Sequence, residues 1–175
     1  MKKIITLLAV IGMFGFQSCE GPEGPPGVPG QDGIGAAAFD IVNQDLFKEN
    51  DNVYSVSNTF SDEVGSDLHG SDMVLIYRKS GSTNTNLPVW QLIPRSIYFP
   101  NGDVLDYDFD FTVKDYIITA NGNYALLNRP DYVLGQTFRV LIVPNELLSS
   151  INKNNYNEVI SALKINENEI NKIDL

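Results

Sequence analysis

The sequence predicts an all-β fold: a two-sheet antiparallel β-sandwich of about eight short strands with a short C-terminal helix, preceded by an extended Gly-X-Y stalk. Three observations lead there. From Ala38 to Val143, short β-branched and aromatic runs are broken by Gly, Pro, Asn or Asp about every eight to twelve residues, the spacing of sandwiches and barrels. Between Val104 and Val113, Leu105, Tyr107, Phe109 and Phe111 alternate with Asp106, Asp108 and Asp110, which puts aromatics on one face of a strand and carboxylates on the other. Asn101-Gly102, between Ile97-Tyr98-Phe99 and Val104-Leu105, is a hairpin signal because both residues tolerate positive φ.

Taken in chain order, the predicted strands cover residues 38–42, 53–60, 73–79, 88–93, 96–99, 104–112, 116–121 and 138–143. Lys114-Asp115 turns a second hairpin, which Asn121-Gly122 ends. Arg139-Val140-Leu141-Ile142-Val143, closed by Pro144, shows little alternation and reads as an inner strand. Between the second and third strands, Ser61 is expected to cap a short helix. Asp62 and Glu63 fall in its positive first turn, Val64 and Leu68 on its buried side, and Gly70 at its end. Near the C-terminus, Tyr156, Val159, Ile160 and Leu163 follow helical spacing, with Asn154 or Asn155 as the cap. Residues 145–151 can add one more turn, and the Asn-rich end from 166 onward is expected to fray.

The segment before the sandwich has a different character. Residues 1–18 read as a secretory signal: Lys2 and Lys3, then 13 uncharged residues from Ile4 to Phe16, then a polar step. Thirteen falls short of the roughly 20 apolar residues of a spanning helix. Cys19, the sole cysteine, follows directly and excludes an intramolecular disulfide or a thiolate-rich zinc site. A thiol at this point can carry a thioether to diacylglycerol. Each buried methylene then adds about 0.8 kcal/mol, and two or more chains hold a protein stably on a bilayer. The competing reading is an ordinary secretory signal that ends beside a free thiol.

Residues 19–35 form the linker. Gly21, Gly24, Gly27, Gly30 and Gly33 recur every third position, with Pro22, Pro25, Pro26 and Pro29 between them. This is collagen-type patterning, since only Gly fits the axis of three wound polyproline-II strands. So short a run is expected to serve a monomer as an extended spacer of about 45 Å, at about 3.1 Å per residue. A trimer joined through the stalk is the alternative. The sandwich itself is expected over residues 36–144 and a helical segment over 145–175.

Twelve Lys and Arg stand against 22 Asp and Glu, a formal charge of −10. That field repels nucleic acid and anionic headgroups. The alternating aspartates read as a solvated strand face, because neighbours about 6.5–7 Å apart on one face seldom share one ion. His69 is the only histidine, which rules out a multi-histidine metal site, and no G-x-S-x-G elbow occurs. No cofactor or metal is implied. Trp90 is the candidate ligand-stacking residue, since aromatic faces stack on sugar rings; in alternating strands such residues are more often core.

The signal ending in Ser18-Cys19, the stalk EGPEGPPGVPG, and a domain carrying WQLIPRSIYF and FRVLIVP resemble the small collagen-like lipoproteins of Bacteroidota. Phe16 and Gln17 depart from the Leu and Ala usual before such a cysteine. The resemblance implies lipidation at Cys19, attachment to the outer membrane with cell-surface exposure possible, and no known active-site residue. The reading is a non-enzymatic lipid-anchored envelope protein offering its sandwich to a glycan or an envelope protein. The alternative is a small envelope hydrolase acting through an unidentified carboxylate pair.

Overall fold

A computed structural model describes residues 37–148 and 151–174. The signal segment, Cys19 and the Gly-X-Y linker lie outside the described residues. The chain is mostly β, in two mostly antiparallel five-stranded sheets. One has the order β10-β1-β9-β4-β5, made of β1 (Ala37–Gln44), β4 (Asp72–Ser82), β5 (Pro88–Ile93), β9 (Gln136–Pro144) and β10 (Asn171–Asp174). The other has the order β2-β3-β8-β7-β6, made of β2 (Phe47–Asn50), β3 (Val53–Thr59), β6 (Arg95–Tyr98), β7 (Val104–Phe111) and β8 (Asp115–Gly122). We refer to these as the first and second sheets.

One core joins them. Phe39 and Ile41 of β1, Val74 and Ile76 of β4, and Phe138, Val140 and Ile142 of β9 meet Tyr54 and Val56 of β3, Leu105 and Tyr107 of β7, and Tyr116 and Ile118 of β8. Rings interlock across the gap, with Phe39 and Tyr116 6.1 Å apart between centroids and Tyr107 and Phe138 6.4 Å apart. Each such buried side chain contributes about 1.5–3 kcal/mol. The alternation of β7 appears as expected: Leu105 and Tyr107 are buried, while Asp106, Asp108 and Asp110 are exposed.

A second apolar cluster lies on the opposite face of the first sheet. Leu75, Tyr77, Leu141 and Val143 point outward there and are covered by Val159, Ile160 and Leu163. These last three come from the helix Tyr156–Leu163. Strand β9 is thus central in its sheet and apolar on both faces, which is why its sequence hardly alternates. Tyr77 also donates its hydroxyl hydrogen to the carbonyl of Lys153 at 2.6 Å, tying the approach to that helix onto the sheet.

Several details differ from the sequence expectation. Among the described residues there are ten strands rather than eight. The added β2 and β10 are polar four-residue edges, paired antiparallel to β3 and parallel to β1. The Asn-rich end does not fray: a 3-10 turn at Glu167–Glu169 leads into β10. The first helix, α1 (Phe60–Val64), is capped by Thr59, whose side chain accepts from the Asp62 amide, and not by Ser61. The fully buried Phe60 fixes its start, and Gly65, at φ +84°, ends it five residues before Gly70. Two further helices follow, α2 (Asn145–Leu148) and α3 (Tyr156–Leu163), and Asn155 caps α3 by accepting from the Glu158 amide.

Candidate functional site

Helix α3 covers only part of the outer face of the first sheet. The rest is open, and Trp90 stands in it. The register fixes what surrounds Trp90. It lies directly opposite Lys79 on β4, Tyr77 lies opposite Arg139 on β9, Arg139 opposite Asp40 on β1, and Asp40 opposite Lys172 on β10. A band of charged and aromatic side chains therefore crosses the sheet on its outer side.

At the centre of this band is a buried ion pair. Arg139 donates through Nε to Asp40 Oδ1 at 2.6 Å and through Nη2 to Asp40 Oδ2 at 2.8 Å, with side-chain exposures of 6% and 5%. The two-bond fork suits a carboxylate and fixes both partners. Arg139 Nη1 also donates to Glu167 Oε2 at 2.7 Å and to the Tyr156 hydroxyl. Tyr156 in turn donates to Glu167 at 2.7 Å. Burial works against the guanidinium charge, but the hydrogen bonds and negative charge of Asp40 and the bond from Glu167 overcome it, and the arginine is held charged more firmly than usual. Burial, aided by the bond to Glu167, raises the Tyr156 hydroxyl above the ordinary tyrosine value.

Trp90 closes this cluster from the side. The Arg139 guanidinium carbon lies 4.4 Å from the Trp90 ring centroid, and the Tyr156 ring lies 6.0 Å away, tilted by 30°. The indole is thus neither a free platform nor simple core: it is partly buried, with a cation against its ring. Its Nε1 is buried and has no hydrogen-bond acceptor among the described residues.

Two depressions meet at Trp90, and Pro88, Trp90 and Glu167 line both. The first, about 560 Å³, is walled by Thr83, Asn152, Asn154, Asn155 and Asn157, an array of neutral amides and a hydroxyl. The second, about 510 Å³, runs across β10, β1, β9, β4 and β5 and is bordered by Lys79, Arg139 and Lys172 with Asn43 and Thr137. Aromatic surface beside neutral hydrogen-bonding groups is suited to ligands with an apolar ring face and several hydroxyls.

Of the residues singled out in the sequence, Trp90 is at this site and Cys19 lies outside the described residues. His69 is exposed on a distant loop, its Nδ1 2.9 Å from Ser71 Oγ. The three aspartates of β7 line the outer face of the second sheet, where Asp106 bonds Ser96. Among the described residues, no three His, Cys, Asp or Glu side chains are grouped so as to hold a metal ion. Sequence reasoning missed Asp40, Arg139 and Glu167. The only trace of them was an arginine at the start of an apolar inner strand.

The fold and site define a mostly β domain of two sheets with one half-covered outer face and a Trp-edged groove. Comparison with protein-family models, with curated proteins and with solved structures finds no match.

Proposed function

We propose that this chain is a lipid-anchored cell-envelope protein: Cys19 carries the acyl chains, residues 19–35 form a collagen-like stalk, and the β-domain is a binding module that takes a saccharide in the groove beside Trp90. The observation that carries the binding half is the joining of Trp90 to the wall of Thr83, Asn152, Asn154, Asn155 and Asn157. A sugar offers C–H groups to an aromatic ring and hydroxyls to amides, and this groove offers the counterpart of both. The anchor half rests on the sequence: a short apolar signal, a lone cysteine at its end, and a Gly-X-Y spacer behind it.

Metabolic fatty-acid labelling of the wild type and of Cys19→Ala tests the anchor. Label in the wild type and none in the variant supports it; equal label in both, or none in either, removes it. Protease shaving of intact cells then separates surface from periplasmic orientation. The binding half is tested by titrating saccharides against Trp90 emission, which reports on this site alone because the chain has one tryptophan.

A further inference from the structure

The second depression carries a charge opposite to that of the protein as a whole. The chain has 12 Lys and Arg against 22 Asp and Glu, yet three basic residues, Lys79, Arg139 and Lys172, border this one hollow. Its two acidic residues, Asp40 and Glu167, are both engaged by Arg139. Lys79 and Lys172 are exposed, and neither has a carboxylate within ion-pair distance among the described residues. Two exposed ammonium groups without an ion-pair partner therefore flank a floor in which one arginine is shared by two carboxylates, and the hollow as a whole keeps a net positive charge.

The spacing is informative. Lys172 lies on β10 and Lys79 on β4, with β1 and β9 between them. Three inter-strand steps, with Lys79 two residues along β4 from the Tyr77 that stands in register with Lys172, place their backbones about 16 Å apart. Each lysine has a flexible four-carbon stem, so the pair can hold acidic groups on two units of a short chain or close on one from both sides. Trp90, opposite Lys79 in the register and shared by both depressions, brings indole surface beside one of these charges.

We infer that the groove is specific for an acidic saccharide, whose sugar rings lie along Pro88, Trp90 and the amide wall while its carboxylate or sulfate groups are held by Lys79 and Lys172. This rests on the binding reading above and adds the charge of the ligand to it. The acidic protein as a whole repels polyanions, so a net positive charge at this hollow helps select where such a chain lands as well as whether it binds.

The test uses the detergent-solubilised full chain and follows Trp90 emission, with calorimetry in parallel. The uronate arm is a galacturonate hexamer against its methyl ester; the sulfate arm is a sulfated galactan hexamer against its desulfated form. In at least one arm the acidic form is expected to bind about tenfold or more tighter than its neutral counterpart. That preference should shrink with added salt and fall about tenfold in Lys79→Gln/Lys172→Gln. Both lysines are exposed, so an unchanged melting temperature in the double variant confirms that its fold is intact. Equal binding of acidic and neutral forms, or an unaltered double variant, overturns the acidic specificity and leaves the saccharide reading standing. Silence from all four probes overturns both.

Discussion

Replacing Asp40 with Asn isolates the buried charge on which the open face is built. The substitution keeps the side-chain volume and one acceptor, but removes the charge that meets Arg139 in two hydrogen bonds of 2.6 and 2.8 Å. Breaking one side of a buried pair costs about 3–5 kcal/mol, because the other charge remains out of water without its partner. Here Arg139 retains Glu167 at 2.7 Å, whose side chain is 46% exposed, together with the Tyr156 hydroxyl and the Trp90 ring. The loss should fall at the lower end, about 3 kcal/mol. For a domain of this size that corresponds to a melting temperature lower by about 10 °C. Urea unfolding of the wild type, Asp40→Asn, Asp40→Leu, Arg139→Met and Asp40→Leu/Arg139→Met measures the single losses and, through the Leu and Met variants, their coupling. The double variant should lie within about 1.5 kcal/mol of wild type, since two apolar groups of similar volume need no compensation. A loss below about 1 kcal/mol for Asp40→Asn, or a double variant equal to the sum of the singles, would refute the assignment of this pair as the organising contact.

Three further outcomes are expected. Burial pushes the Tyr77 hydroxyl up to about 12, above its ordinary value of 10.0; a raised folded-state value gives stability that is complete below pH 10 and lost as pH rises towards about 12, so alkaline denaturation should be shallower over that window in Tyr77→Phe. At Gly122, a Cβ would stand 2.6 Å from Leu126 Cδ2 and 3.3 Å from the Val104 carbonyl oxygen; with Leu126 fully buried, Gly122→Ala should cost about 1–3 kcal/mol in chemical denaturation, and a neutral result would mean that the turn relaxes freely. Asn155→Ala removes the cap of α3 and should cost about 1 kcal/mol, with faster hydrogen exchange confined to residues 156–160; a global change in exchange would contradict a local capping role.

What the sequence disclosed follows the range of the interactions involved. The strands of the central hairpins carry their own period-two pattern and turn residues, so β3 to β8 were legible from neighbours a few positions apart, and β1 and β9 were legible as short apolar runs. Strands β2 and β10 read FKEN and NKID, with too few β-branched residues to announce themselves. They are strands because β3 and β1 present unpaired edges to them, a fact of register rather than composition. The same limit hid the ion pair, whose members are 99 residues apart. The slip at α1 was of another kind. Thr59 and Ser61 are both competent caps, and the choice was made by Phe60, which must enter the core at the first turn. Trp90 was legible as a residue to inspect, but not as a wall of the Arg139 cluster, because that role depends on β5 and β9 lying in the same sheet.

That dual role limits how Trp90 can meet a ligand. A guanidinium 4.4 Å from the centroid of its ring occupies the space an opposing sugar would need, so a saccharide held between two aromatic faces does not fit this geometry. The indole can offer its remaining surface only, and stacking at one partly buried ring is a modest source of affinity. Specificity must then come from groups whose geometry is fixed independently of the ligand. The amides of the first depression are partly fixed in this way: Asn155 is bound to the start of α3, and Asn152 accepts from the Asn154 amide. Arg139 is held by four contacts, and through it so is the ring. A site assembled on such a scaffold loses little freedom when occupied. The buried ion pair, costly to desolvate, thereby holds the open half of the sheet, so that stability and the proposed saccharide binding both depend on Arg139.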